Sequence, residues 1–99
     1  MSYPREIIQR VWEKGIVVKG YNPDVLRKDE MGAWIIRDHF GTQNSEYSWE
    51  IDILSFSSTP SLKEIENLRP LQWENKIFKD TGEKASYVTS YNTSNVVMR

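Results

Sequence analysis

The chain of 99 residues contains no cysteine, which excludes a disulfide framework, a thiolate zinc site and a thiol nucleophile. No stretch approaches the roughly 20 apolar residues needed to span a bilayer. The opening "MSYPREIIQRVWEKG" mixes charge with apolar residues and lacks the uninterrupted apolar core of a signal peptide. The expectation is an intracellular, cytoplasmic protein with no membrane partner. Charge of one sign is missing too, because 13 Lys and Arg face 14 Asp and Glu for a formal charge of −1. The molecule as a whole does not attract polyphosphate, and a DNA-binding domain of this size is usually more basic. Repeats, low-complexity runs and linkers are lacking as well.

What the chain does have is aromatic residues, with 4 Trp, 5 Tyr and 3 Phe. They supply enough apolar surface for one core without metal or disulfide staples, so residues 1–99 are expected to form a single domain. Ile7, Ile8, Val11 and Trp12 recur at helical spacing, with Pro4 suited to a first turn and Gly15 to a stop, which predicts a helix over Tyr3–Lys14. "AWIIRDHF" and "SEYSWEIDILSF" flank "GTQN" and read as a hairpin of Ala33–Phe40 with Tyr47–Phe56. Ser61-Leu62-Lys63-Glu64 has the form of a capping box opening one or two turns through Leu68. Pro70 suits the first position of a helix over roughly 70–80, with Leu71, Asn75 and Phe78 on one face and Gly82 as its stop. "ASYVTSYNTSNVVMR" alternates only weakly and reads as a short strand with a frayed tail. The fold class expected is a small α+β domain in which an N-terminal helix precedes an antiparallel β-hairpin packed on a helix.

"RKDEMGAWIIRD", "SEYSWEID" and "ENLRPLQWEN", with the spacing between them, resemble the HNH endonuclease family over roughly residues 26 to 80. The resemblance implies a ββα-metal fold, with a core of roughly 33–80 and a divalent cation between hairpin and helix. In that family the second strand reads W-E-I-D-H-I, where the Asp binds metal and the His activates water. Here these positions are Asp52 and Ile53. The Asn that orients the family histidine corresponds to Asn67, the second metal-ligand position holds Lys76, and Gln72 stands where relatives often have His.

Family likeness thus implies a nuclease fold, while these substitutions argue against nuclease chemistry. Losing a positioned general base costs about 10²–10⁴ in rate. An ammonium about 4 Å from a divalent cation repels it by roughly 8 kcal/mol at an effective dielectric of about 20. Lys76 is therefore expected to pair with Asp52 in place of a metal, and Ile53 to extend the apolar stripe of Tyr47, Trp49 and Ile51. The expected function is a catalytically inactive HNH-fold binding module that holds a phosphate-bearing ligand, nucleic acid or nucleotide, or a protein partner that includes a second copy, as a decoy or inhibitor. No cofactor is expected, and the remnant positions are Asp52, Ile53, Asn67 and Lys76. Ligand contacts are expected at Arg37, Asp52, Arg69, Lys76 and Lys79, within a segment whose other cations are Arg27, Lys28, Lys63 and Lys84. The alternative is an active endonuclease with displaced ligands, in which Glu50, Asp52, Asn67 or Asn75 gather Mg²⁺ and His39 or a water serves as base. Trp12, Trp34, Trp49 and Trp73 are expected in the core rather than as a base-stacking platform.

Overall fold

The computed structural model describes residues 3–54, 65–83 and 85–99. In chain order it has α1 (Arg5–Trp12), β1 (Leu26–Lys28), β2 (Trp34–Ile36), β3 (Trp49–Ile53), β4 (Leu68–Gln72), α2 (Trp73–Thr81), β5 (Tyr87–Tyr91) and β6 (Ser94–Met98), with one-turn 3₁₀ segments at Arg37–His39 and Ile65–Asn67. The strands form three antiparallel hairpins, β1–β2, β3–β4 and β5–β6. A small α+β architecture is therefore present. No helix among the described residues is long and apolar enough to cross a membrane.

The expected pairing of Ala33–Phe40 with Tyr47–Phe56 does not occur. β2 turns back onto β1 in the register Leu26↔Ile36, while β3 pairs with β4 in the register Asp52↔Arg69. The reason is Asp29 in the preceding "RKDEMG". Its Oδ1 accepts the amides of Met31 and Ala33 and closes a tight turn before β2. Gly32 in that turn has φ +91°, and a Cβ there would lie 2.6 Å from the Thr89 hydroxyl, so the turn seats directly on β5.

Pro70 belongs to β4 and not to a helix. On the outer edge of β4 the Leu68 carbonyl is capped by the Lys14 ammonium and the Gln72 amide by Asp29. Pro70 has the same parity, so its missing N–H falls on the edge side, the one strand position where proline removes no ladder bond. Replacing Pro70→Ala is accordingly expected to change stability by no more than about 1 kcal/mol in urea denaturation. A gain in stability beyond that would instead place that nitrogen in the ladder, because alanine restores the N–H that proline lacks.

The helix expected from residue 70 begins instead at Trp73. Gln72 caps it, its side-chain oxygen accepting the amides of Glu74 and Asn75. Gly82, at φ +77°, ends it as expected. The first helix is shorter than Tyr3–Lys14, with Pro4 at its N-cap. The capping box at 61–64 lies outside the described residues. The expected frayed tail is a full hairpin, because Asn92 takes φ +55° and supplies the left-handed turn residue between β5 and β6.

The core lies between α1 and one face of β3–β4. Val11, Trp12, Ile35, Trp49, Ile51 and Leu68 form it, with Ile7, Ile8, Phe40 and Ile53 packed against it. Trp12 and Trp49 stand 5.5 Å apart, and Phe40 meets Trp49 edge-on at 4.8 Å. Every indole N–H donates to a backbone carbonyl: Trp12 to Pro23, Trp34 to Asn92, Trp49 to Arg37 and Trp73 to Ser45. Each indole thus anchors a neighbouring segment, but only Trp12 and Trp49 belong to the core, as expected; Trp34 is buried outside that cluster and Trp73 is half-buried.

Two asparagine side chains close strand edges. Asn75 of α2 donates to the Val88 carbonyl and accepts the Val88 amide, at 3.0 and 2.7 Å. Asn95 of β6 does the same to Trp34 of β2, at 2.9 and 2.7 Å. Each primary amide stands in for a neighbouring strand at one residue of the edge.

Candidate functional site: an ion cluster between the β3–β4 hairpin and α2

Residues 49–81 run strand, strand, helix, and the strand period of two divides their chemistry between two faces. Trp49, Ile51 and Ile53 face the core beside α1, whereas Asp52 meets α2. Asp52 is 1% exposed and stands opposite Arg69 in the ladder. Its Oδ2 accepts Arg69 Nε at 2.8 Å, and both oxygens accept Lys79 Nζ at 2.8 Å. Lys79 also donates to the Ile53 carbonyl at 2.7 Å. Lys76 Nζ is 3.7 Å from Asp52 Oδ1 and bonds Asp80 Oδ2 at 2.9 Å one turn on. Arg69 Nη1 pairs with Glu30.

Lys76 does pair with Asp52, but as an outer member, since the amine seated on the carboxylate is that of Lys79. One helical turn separates Asn75 from Lys79, so a single face of α2 carries both the β5 contact and the ammonium. Three cations face three carboxylates in these contacts, Asp52, Glu30 and Asp80, which leaves little net field. Burial alone would lower the Lys76 ammonium, but Asp80 and Asp52 outweigh it and hold it above the ordinary lysine value. Burial lowers the Arg69 guanidinium against the pull of Asp29.

Burial raises the Glu50 carboxyl, with Lys76 opposing. A folded pKa above the unfolded one adds stability that is complete below the unfolded value and is lost as pH rises through the folded value. Stability profiles of the wild type should therefore carry a component that falls with rising pH just above the normal glutamate range. Glu50→Gln is expected to remove that component, and an unchanged profile would contradict this assignment.

The other residues singled out from the sequence lie apart. Arg37 contacts Asp38 at 3.4 Å and Gln9 at 3.5 Å, beyond the core from Asp52. His39 shares a hydrogen bond with Ser45 at 2.9 Å, and that hydroxyl also accepts the Tyr47 amide, so the imidazole braces a loop. Asn67 sits in the 3₁₀ turn before β4, where its carbonyl accepts the Leu54 amide. Asn75 turns to Val88 and Asp29 instead of Asp52. Gln72 is spent on the helix cap.

A divalent cation fits this donor set poorly. Both oxygens of Asp52 already accept from Lys79, and among the described residues no three His, Asp or Glu side chains gather as a metal group. Any cation at Asp52 would have to displace an ammonium and face two further positive charges.

Sequence reasoning missed Asp29. It is 1% exposed, and its Oδ2 accepts the Gln72 amide and Asn75 Nδ2, each at 2.9 Å. One carboxylate thus joins the β1–β2 turn, β4 and α2. Burial raises its pKa despite these four donors. Asp-x-x-Gly in "RKDEMG" was the available signal. Comparison of the chain with protein-family models, with curated proteins and with solved structures finds no match in any of the three.

Proposed function

We propose that this chain is a non-catalytic binding module of the HNH-like ββα type, which holds a ligand without cutting it. The observation that carries the reading is the seat of Lys79 on both oxygens of Asp52, the residue that the sequence motif makes the metal ligand. Ile53 supports it from the other face, because its side chain packs with the core and offers no proton acceptor beside Asp52. Proposed ligands are a nucleotide or short nucleic acid, or a protein partner, with the module acting as decoy or inhibitor. The balanced charge of the cluster favours short ligands over long polyphosphate, whose binding depends on an uncompensated basic surface.

The test is calorimetric titration with Mg²⁺, Mn²⁺ and Zn²⁺, followed by incubation of the loaded protein with supercoiled plasmid. Neither saturable heat nor nicking is expected. Metal-dependent nicking that disappears in Asp52→Asn, with the fold of that variant confirmed by circular dichroism, would replace this reading with that of an active endonuclease.

A further inference from the structure

Beside the ion cluster a cleft of about 220 Å³ opens between α2 and β5. Phe78, Tyr87 and Met31 form its apolar walls over the buried Leu71, and Arg69, Glu83 and Ser86 stand on its rim. Resting on the non-catalytic reading above, we propose that this cleft binds one nucleobase-class heteroaromatic ring, recognised by its faces and polar edge and not by a phosphate.

Size comes first. Pockets for drug-sized ligands measure about 300–1,000 Å³, so the smaller space limits the occupant to a single ring system. Two aromatic side chains and a thioether suit flat faces, and stacking of a base on an aromatic side chain contributes about 1–3 kcal/mol. The rim then alternates in hydrogen-bonding sense. Glu83 accepts, the Ser86 hydroxyl does both, and the Arg69 guanidinium, held in place by Asp52 and Glu30, is a donor. A base edge carries donors and acceptors to match, whereas an apolar side chain of a protein partner has none. Phosphate is the weaker determinant because the cations are already committed. Lys79 directs its three protons to Asp52 Oδ1, Asp52 Oδ2 and the Ile53 carbonyl, and Glu83 adds a negative charge at the rim.

The experiment is a ¹⁵N NMR titration of the full chain with adenosine, guanosine, cytidine and uridine and with their 5′-monophosphates. For at least one base, shifts should cluster at Met31, Phe78, Glu83 and Tyr87. Nucleoside and monophosphate should bind within about threefold of each other. Raising salt from about 50 to about 200 mM should also weaken binding less than about threefold, the change that one neutralised phosphate produces. Glu83→Ala, at an exposed site, should weaken binding about fivefold, as one ordinary hydrogen bond would. Ser86→Phe should fill the cleft and abolish it. Absence of shifts with every compound, or binding that survives Ser86→Phe, overturns the proposal. So does a monophosphate preferred more than about tenfold with steep salt dependence. Shifts confined to Lys76 and Asp52 would defeat the cleft alone and leave the binding-module reading standing, whereas metal-dependent nicking would defeat that reading itself.

Discussion

Replacing Asp29→Ala should lower the unfolding free energy by about 4 kcal/mol. Three of the groups it satisfies, the amides of Ala33 and Gln72 and the side-chain nitrogen of Asn75, are buried. A buried donor left without an acceptor costs about 1–3 kcal/mol. Against a total stability of about 5–15 kcal/mol, this loss threatens the fold itself. Asp29→Asn separates acceptor count from volume. Its single carbonyl oxygen can still take Met31 and Ala33, but its amide nitrogen then meets the donors of Gln72 and Asn75, for an expected loss of about 2 kcal/mol. Urea denaturation followed by tryptophan fluorescence measures both. Equal losses in the two variants would show that packing and not hydrogen bonding is at stake. Asp29 also works against neutral pH, since its raised pKa makes its own contribution decline as pH climbs through the folded value. A profile of Asp29→Asn that keeps this decline would assign it to another group.

The second large effect is at Asp52. Asp52→Ala removes the shared acceptor of Lys79, Arg69 and Lys76 and leaves three cations facing one another. Breaking a buried pair by deleting one partner costs about 3–5 kcal/mol. The lower end applies here, about 3 kcal/mol, because the Lys76 and Lys79 side chains are 29% and 37% exposed and can turn toward water. The contrast is a variant carrying Asp52→Leu, Arg69→Met and Lys79→Met together. Removal of the buried acid together with the two cations bonded directly to it relieves desolvation along with attraction, and Lys76 keeps Asp80, so the variant should stay within about 1 kcal/mol of the wild type. If the triple variant is as unstable as Asp52→Ala, the cluster is a net source of stability and not a set of mutually compensated charges.

The sequence carried the chemistry of single segments further than their pairing. Helix periodicity placed α1 and Gly82 stopped α2, because each depends on neighbours within a few residues. Asp52 and Lys76 read as partners because motif spacing brings hairpin and helix together. The strand pairing did not follow, since "AWIIRDHF" and "SWEIDILSF" have compatible patterns and no local feature says which turns back on which. Asp29 decides it, and its second oxygen acts more than forty residues away. Pro70 misled for a related reason, because proline suits a helical first turn and an open strand edge alike, and only Lys14 and Asp29 define that edge. Lys79 outranks Lys76 because the helix starts at Trp73, which turns residue 79 and not 76 directly onto Asp52. Asn95 left no trace in the local pattern at all.

The Asn95 amide that completes the edge of β2 has a consequence for biosynthesis. Trp34 is synthesised sixty-one residues before the group that closes it, so until residue 95 has been made its N–H and C=O must stay hydrated or find a temporary partner. The first hairpin can form early, but its outer side stays open at Trp34 until β6 arrives. Vectorial folding is therefore disfavoured for this chain, and tertiary closure belongs to the moment after residue 95 has emerged.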